Sequence, residues 1–295
     1  MDKIDFYMNE FVKDLKHKSI FEYLKNVNQG KRLRSKLILK IAQPSDEAYK
    51  LCAVIECIHL ASLMHDDVID EALTRRNTPS INAIYGDKTA IMLGDILYSI
   101  AFYNLTSFKQ EISACVGLAV ALLSSGELLD VELGESFNED ENKYYEMIYK
   151  KTSSLIEASA YAAALLVDKK DALNYKEFGK NLGIAFQIVD DILDITQDEA
   201  TLGKPNLNDY KEGKVTLPYI MLDRALKDED KKRLRAYFAQ TLNKEEQSWI
   251  KEQFAKYDII NKSIKIAQEY GEKALKCVDN PDLQDIVKKM IFREF

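Results

Sequence analysis

Apolar side chains recur every three or four positions along most of this chain, the spacing that gathers them on one face of an α-helix. The pattern predicts helices over residues 6–24, 48–69, 90–105, 112–133, 144–166 and 173–195. Breaks fall at Asn28-Gln29-Gly30, Gln43-Pro44-Ser45 and Asn77-Thr78-Pro79, and at residues 138–142, 168–171 and 202–213. In the last third, charge runs such as residues 227–233 alternate with shorter apolar stripes and read as solvated helix faces. Only 11 glycines and 5 prolines occur in 295 residues. That scarcity excludes a turn-rich all-β fold and leaves no linker-like stretch. The expectation is an all-α fold with residues 1–295 forming one domain.

Composition adds a few bounds. The formal net charge of -7 argues against a nucleic-acid partner, while leaving room for local basic clusters around a small phosphate. Cys52, Cys57, Cys115 and Cys277 show no paired spacing and lie mostly in apolar helical sequence, as reduced core thiols of a cytoplasmic protein do. The opening Met-Asp-Lys-Ile-Asp-Phe-Tyr lacks the order of a signal peptide. No uninterrupted apolar run reaches the roughly 20 residues of a membrane span. Residues 158–167 come nearest and are too short, so an integral membrane protein is not expected.

Two acidic runs set in apolar sequence carry the chemistry. They are His65-Asp66-Asp67-Val68-Ile69-Asp70 and Gln187-Ile188-Val189-Asp190-Asp191-Ile192-Leu193-Asp194, and both read Asp-Asp-x-x-Asp. Like charges at i and i+4 repel on one helix face, and aspartate is a poor helix former. Positions i and i+4 lie roughly 40° apart and about 6 Å along the axis. Asp66 and Asp70 therefore share a face, as do Asp190 and Asp194, while Val68, Ile69, Ile192 and Leu193 are left to pack. An all-oxygen donor set repeated twice points to hard divalent cations, Mg2+ first, holding a phosphate-bearing ligand in one shared site. The plainer alternative is a solvated face or an N-terminal charge cluster, and apolar flanks argue against it.

Basic residues lie near both runs. Arg75 and Arg76 follow the first, and Lys204 and Lys214 follow the second. Lys31, Arg32 and Arg34 cluster after Gly30, and Lys150-Lys151-Thr152 open another helix. Any one such pair is ordinary surface decoration. Several of them beside carboxylate-held cations make up the chemistry of a diphosphate site.

Taken in order, these elements strongly resemble the trans-isoprenyl diphosphate synthases, also called polyprenyl synthetases. The match runs over residues 30–218: Gly-Lys-Arg-Leu-Arg, Glu-Cys-Ile-His, the first aspartate motif, Arg-Arg-x-x-Pro, Leu-Gly-Asp, Lys-Thr, the second aspartate motif, Leu-Gly-Lys and Glu-Gly-Lys-x-Thr-Leu-Pro. The resemblance implies a mostly antiparallel helix bundle around a deep central cavity, acting as a homodimer. It implies Mg2+ held by Asp66, Asp70 and Asp190, with Asp67, Asp191 and Asp194 in support. Arg75, Lys151, Thr152, Gln187, Lys204 and Lys214 are implied for an allylic prenyl diphosphate. Lys31, Arg34, His59 and Arg76 are implied for isopentenyl diphosphate. His59 precedes Asp66 by nearly two turns, which puts it on the same face, though a core histidine fits that place too. No side chain suits a dedicated base, and the resemblance gives that role to the released diphosphate. Transient membrane contact for product release is also implied.

Four positions depart from the family pattern. Gln29-Gly30 stands for a glycine pair, Ser35 for a frequent proline, Asn77 for a glycine and Leu207 for another glycine. The Leu207 change puts the geometry of its loop in question. Cyclising and head-to-head synthases share aspartate-rich helices, but Gly-Lys-Arg-Leu-Arg and Arg-Arg serve a second diphosphate and argue for elongation. A non-catalytic prenyl-diphosphate-binding subunit and a farnesyl or geranylgeranyl synthase stay open. Short-chain members carry a bulky aromatic five residues before the first motif. Here Ala61 and Ser62 stand there, with Tyr98 and Phe102 as deeper candidates for a floor, so a long product is expected.

Overall fold

The computed structural model describes residues 2–25, 30–75, 78–197 and 207–291. The fold is all-α. Its only strands among the described residues are the two-residue pair Thr74–Arg75 and Thr78–Pro79. Two compact units divide the chain, residues 1–123 with 155–179 and residues 124–154 with 180–295.

In the first unit the central element is α4 (Asp46–Ile69), packed by α1 (Lys3–Lys13), α3 (Leu33–Ala42), α5 (Ile81–Tyr85) and α6 (Asp87–Leu105). Every residue from Leu51 to Ile58 is buried. A helix apolar on all sides belongs inside, surrounded by other helices. Its start is set by Ser45, whose hydroxyl accepts from Ala48 N at 3.1 Å, satisfying one of the unpaired first-turn amides. The break expected at Gln43-Pro44-Ser45 is present, and Gln43 takes a left-handed φ of 61°. The stretch expected as one helix over 6–24 is two, α1 and α2 (Lys18–Lys25), separated where Lys16 has φ 51°. Periodicity alone does not register a left-handed residue between two matching faces.

α7 is Gln110–Leu133. By length and composition alone it is long and apolar enough to cross a membrane, so residues 158–167 are not the nearest approach to a span. Serines, glycines, three glutamates and an aspartate interrupt the run without making it polar on average. α8 (Glu141–Ile148) passes through a π-helical turn, Tyr149–Ser153, into α9 (Ser154–Leu166). The sequence pattern reads this as one unbroken helix, because a single wide turn shifts the register without a glycine or proline to announce it. α10 is Ala172–Thr196.

In the second unit, α15 (Ile259–Cys277) packs against α12 (Leu217–Ala225), α14 (Lys244–Lys256) and α16 (Pro281–Ile291). The short α11 (Asn208–Lys211) and α13 (Asp228–Ala236) complete it. Asn243 caps α14 in a reciprocal box with Glu246, joining two orphan amides to side chains.

All four cysteines are free. Cys52 and Cys57 are core residues, whereas Cys115 and Cys277 are half-buried. Burial pushes the thiols of Cys52, Cys57 and Cys115 up to about 12, which suits inert packing groups.

Candidate active site

Both aspartate motifs run into helix C-termini. Asp66 and Asp67 lie in the last turn of α4 and Asp70 is its C-cap, with its amide bonded to Asp66 O at 2.8 Å. Asp194 lies in the last turn of α10, with Asp190 and Asp191 one turn earlier. A helix C-terminus carries partial negative charge and favours cations. Three carboxylates there oppose the dipole as well as one another. The alternative of an N-terminal cluster, which the dipole would favour, is therefore ruled out. Among the described residues no group of three carboxylates converges closely enough to hold a metal ion by itself, while the all-oxygen donor set is the kind that a hard divalent cation takes.

Within each motif the carboxylates divide by burial. Asp70 and Asp190 are exposed and Asp66 is half-buried, whereas Asp67, Asp191 and Asp194 are buried. The buried three are held by protein groups. Arg75 Nε donates to Asp67 Oδ1 at 2.7 Å, with Nη2 at 2.6 Å. Burial alone would lower the Arg75 guanidinium, but the Asp67 hydrogen bond and the Asp67, Asp66 and Asp70 charges leave it raised. Asp191 accepts from the Tyr144 hydroxyl and from Gln187 Nε2 at 2.9 Å. Burial drives the Asp191 carboxyl well up, and the Asp209 charge adds to this against those two hydrogen bonds. Asp194 Oδ2 accepts from Asp209 N, and Asp194 O from Leu207 N, each at 3.1 Å. Of the residues expected to pack, Ile192 is buried and Val68 and Leu193 are half-buried. Ile69 is 48% exposed instead, as the last residue of α4.

The network extends from Asp191 to the π turn. Gln187 Oε1 accepts from Thr152 Oγ1 at 2.7 Å. Beside it, Lys151 Nζ lies 2.8 Å from Glu127 Oε2 and 2.6 Å from Asp130 Oδ2. Two contacts fix the direction of the ammonium. Sequence reasoning missed Glu127, Asp130 and Tyr144. The first two had a signal, since carboxylates at i and i+3 inside the apolar α7 need partners. Tyr144, one of two adjacent tyrosines, had none. α7 passes close to the backbone of this turn at a glycine. A Cβ at Gly126 would fall on Lys151 N and lie 2.8 Å from Lys150 C. Gly126→Ala is thus expected to cost about 1–3 kcal/mol of stability by overpacking and to lower turnover by displacing Lys151. Urea unfolding and turnover assays check both.

The remaining expected residues are placed as follows. Gly30 and Lys31 are exposed, and Arg34 lies half-buried in the first turn of α3. Arg32 is drawn to α1, with Nη1 2.8 Å from Asp2 and Nη2 on Asp5. His59 is half-buried on α4 between buried Ile58 and Leu60. Lys214 is half-buried, with Nζ 3.0 Å from Glu212. Arg76 and Lys204 lie outside the described residues. Ala61 is fully buried and Ser62 nearly so, its hydroxyl bonded back to His59 O at 2.9 Å. One turn on, His65 meets Tyr98 at 5.6 Å between ring centroids, and Tyr98 stacks on Phe102 at 6.5 Å. Leu207 takes a left-handed φ of 59°. That conformation costs roughly 1–2 kcal/mol for a residue with a Cβ, which explains why glycine is common there. Its buried side chain offsets the strain.

An all-helical chain with two carboxylate motifs on helix ends and basic groups at their flanks defines an isoprenoid diphosphate synthase type of protein. Residues 16–256 match the polyprenyl synthetase family, and the chain belongs to it. Octaprenyl pyrophosphate synthase from Helicobacter pylori superposes with a TM-score of 0.93 at 43% identity, over 98% of this chain and 97% of that one. Geranylgeranyl pyrophosphate synthetase from Pyrococcus horikoshii gives 0.89 at 30% identity, over 99% and 95%. Geranylgeranyl diphosphate synthase from Sulfolobus acidocaldarius is 35% identical over 262 residues, 83% of this chain and 79% of that protein.

Proposed function

We propose that this chain condenses isopentenyl diphosphate with an allylic prenyl diphosphate, adding five carbons per cycle to an all-trans chain and ending at a long product of the kind used for quinone side chains. The observation that carries the reading is the placement of both motifs. Asp70 and Asp190 are exposed and Asp66 is half-buried, all near helix ends, whereas Asp67, Asp191 and Asp194 are buried and take hydrogen bonds from protein groups. The first three are the metal ligands in this reading. Mg2+ held by them would supply Lewis-acid stabilisation of the leaving diphosphate. The octaprenyl relative shares more identity with this chain than either geranylgeranyl relative does, which supports the long product.

The chain's own groups do the rest. Arg75, Lys151, Thr152, Gln187, Lys204 and Lys214 bind the allylic diphosphate. The charges of the arginine and the three lysines, with the hydrogen bonds of Thr152 and Gln187, stabilise it as it departs, when they matter most. Lys31, Arg34, His59 and Arg76 hold isopentenyl diphosphate so that its double bond meets the allylic cation. Apolar walls exclude water, which would otherwise capture that cation. The enzyme works in the cytoplasm as a homodimer. Exposed apolar side chains on α6 and α7, among them Met92, Tyr103, Leu118 and Leu128, support a second copy as the cover.

The direct test incubates the purified chain with Mg2+, radiolabelled isopentenyl diphosphate and farnesyl diphosphate, then separates the dephosphorylated products. A ladder ending near a single long product is expected. Absence of any product would make the chain a binding subunit. A product of fifteen or twenty carbons would make it a short-chain synthase. The two cationic clusters give a second check. Arg76→Ala or His59→Ala is expected to raise KM for isopentenyl diphosphate more than for the allylic substrate, and Lys204→Ala to do the reverse. Equal effects on both substrates in all three variants would remove the two-cradle assignment.

A further inference from the structure

Glu56 belongs to the Glu-Cys-Ile-His element, yet the reaction described above gives it no task. It is a carboxylate in the middle of the most apolar stretch of α4, 3% exposed, between buried Ile55 and Cys57. A buried carboxyl survives in such a place only with partners. One partner is printed in the sequence as a departure from the family pattern. Ser35, where proline is frequent, is 1% exposed and donates its hydroxyl to Glu56 Oε1. Ser35 is the third residue of α3, where proline would be tolerated but could offer no hydroxyl.

The other partners are cations. Burial pushes the Glu56 carboxyl up, while the Ser35 hydrogen bond and the Arg34 and Arg32 charges favour its ionised form. Arg32 is already held on the far side by Asp2 and Asp5 of α1. Arg34 precedes Ser35 directly in the first turn of α3, so the residue next to the hydroxyl donor carries a guanidinium whose charge acts on the same carboxyl. Glu56 and His59 are i and i+3 on α4, which puts them on neighbouring positions of one face.

We propose that Glu56, held by Ser35, is a positioning residue for the isopentenyl diphosphate cradle: its buried carboxylate orients the Arg34 guanidinium, beside His59. This rests on the assignment of Arg34 and His59 to that substrate. A planar guanidinium binds a diphosphate well only when its fork faces the oxygens, and a fixed carboxylate on one edge sets that plane. Glu56 touches no substrate and acts through Arg34.

The test measures KM for each substrate separately in Glu56→Gln, which keeps the side-chain shape and an acceptor for Ser35 but removes the charge. KM for isopentenyl diphosphate is expected to rise roughly tenfold, the scale of one lost charge-assisted hydrogen bond. KM for the allylic diphosphate should stay within twofold. Glu56→Asp is expected to recover part of the loss. Ser35→Ala, a milder change that serves if Glu56→Gln does not fold, should show the same split at about threefold. Arg34→Ala and the double variant Arg34→Ala/Glu56→Gln separate this inference from its premise. If the inference holds, Glu56→Gln adds little once Arg34 is gone. If Arg34→Ala leaves KM for isopentenyl diphosphate unchanged, the cradle assignment itself fails. If Arg34→Ala raises that KM but Glu56→Gln does not, or raises both KM values equally, Glu56 is a structural residue only and the inference is overturned.

Discussion

Asp66→Ala and Asp190→Ala are each expected to lower turnover by several orders of magnitude while the fold stays intact. Removing one metal ligand should cost about 4–7 kcal/mol of transition-state stabilisation, a factor of roughly 10³ to 10⁵. The structure adds a sign for stability. Asp66 is half-buried near the C-terminus of α4, and Asp190 is exposed near that of α10. In chelator, deleting either charge removes like-charge repulsion at a negative helix end. The thermal midpoint should hold or rise slightly in Asp190→Ala and stay nearly unchanged in Asp66→Ala, where lost attraction to Arg75 offsets that relief. Adding Mg2+ with a diphosphate should raise the midpoint of the wild type by linkage and raise that of the variants less. Asp191→Ala should behave differently. That carboxyl is buried and holds the Tyr144 hydroxyl and Gln187, so its loss leaves a buried hydroxyl and amide short of a partner and destabilises the chain by about 1–3 kcal/mol. Near-normal turnover in Asp66→Ala or Asp190→Ala at ordinary Mg2+ would refute the ligand assignment. A cooperative loss of folding in chelator would refute the helix-end argument.

Much of this was legible in the sequence, for a physical reason. Helices report themselves through a period of 3.6, so α4, α6, α7 and α10 fall within a few residues of where the apolar spacing puts them. Carboxylates at i and i+4 in apolar sequence report a cost that needs a cation, and that argument does not depend on tertiary structure. What the sequence hid were features created by contact. The π turn at Tyr149–Ser153 lies where the backbone passes close to Gly126. The clamp on Lys151 comes from Glu127 and Asp130, more than five helical turns' worth of chain away. Tyr144 reaches Asp191 across 47 positions of sequence. Ser35 read as a lapse from a proline pattern until its hydroxyl was found on a buried glutamate. The split of each motif into open and buried carboxylates is of the same kind, since burial is set by neighbours from distant segments.

Ala61→Tyr is expected to convert a long-chain synthase into a short-chain one while leaving the first condensation largely intact. The wild-type product should reach roughly six to nine isoprene units, because a pocket wall rather than the chemistry stops the chain, and such a wall rejects extra methylenes. Ala61 and Ser62 lie one turn before His65, on the helix that ends in the first motif, and both are buried. A prenyl chain growing away from Asp66 meets a methyl and a small hydroxyl there. On the motif side of Ala61, His65 meets Tyr98, which in turn stacks on Phe102. Small buried residues have a second explanation, which is to let helices pack closely, and stability separates the two. If Ala61 borders a tunnel, the tyrosine ring has room, and urea unfolding should change by less than about 1 kcal/mol. If Ala61 is a packing contact, overfilling should cost about 1–3 kcal/mol, and activity should fall for both short and long products. The tunnel reading requires shorter products together with near-normal stability. An unchanged product length in a well-folded variant, or a wild type that already stops at fifteen or twenty carbons, would remove Ala61 as the determinant of length.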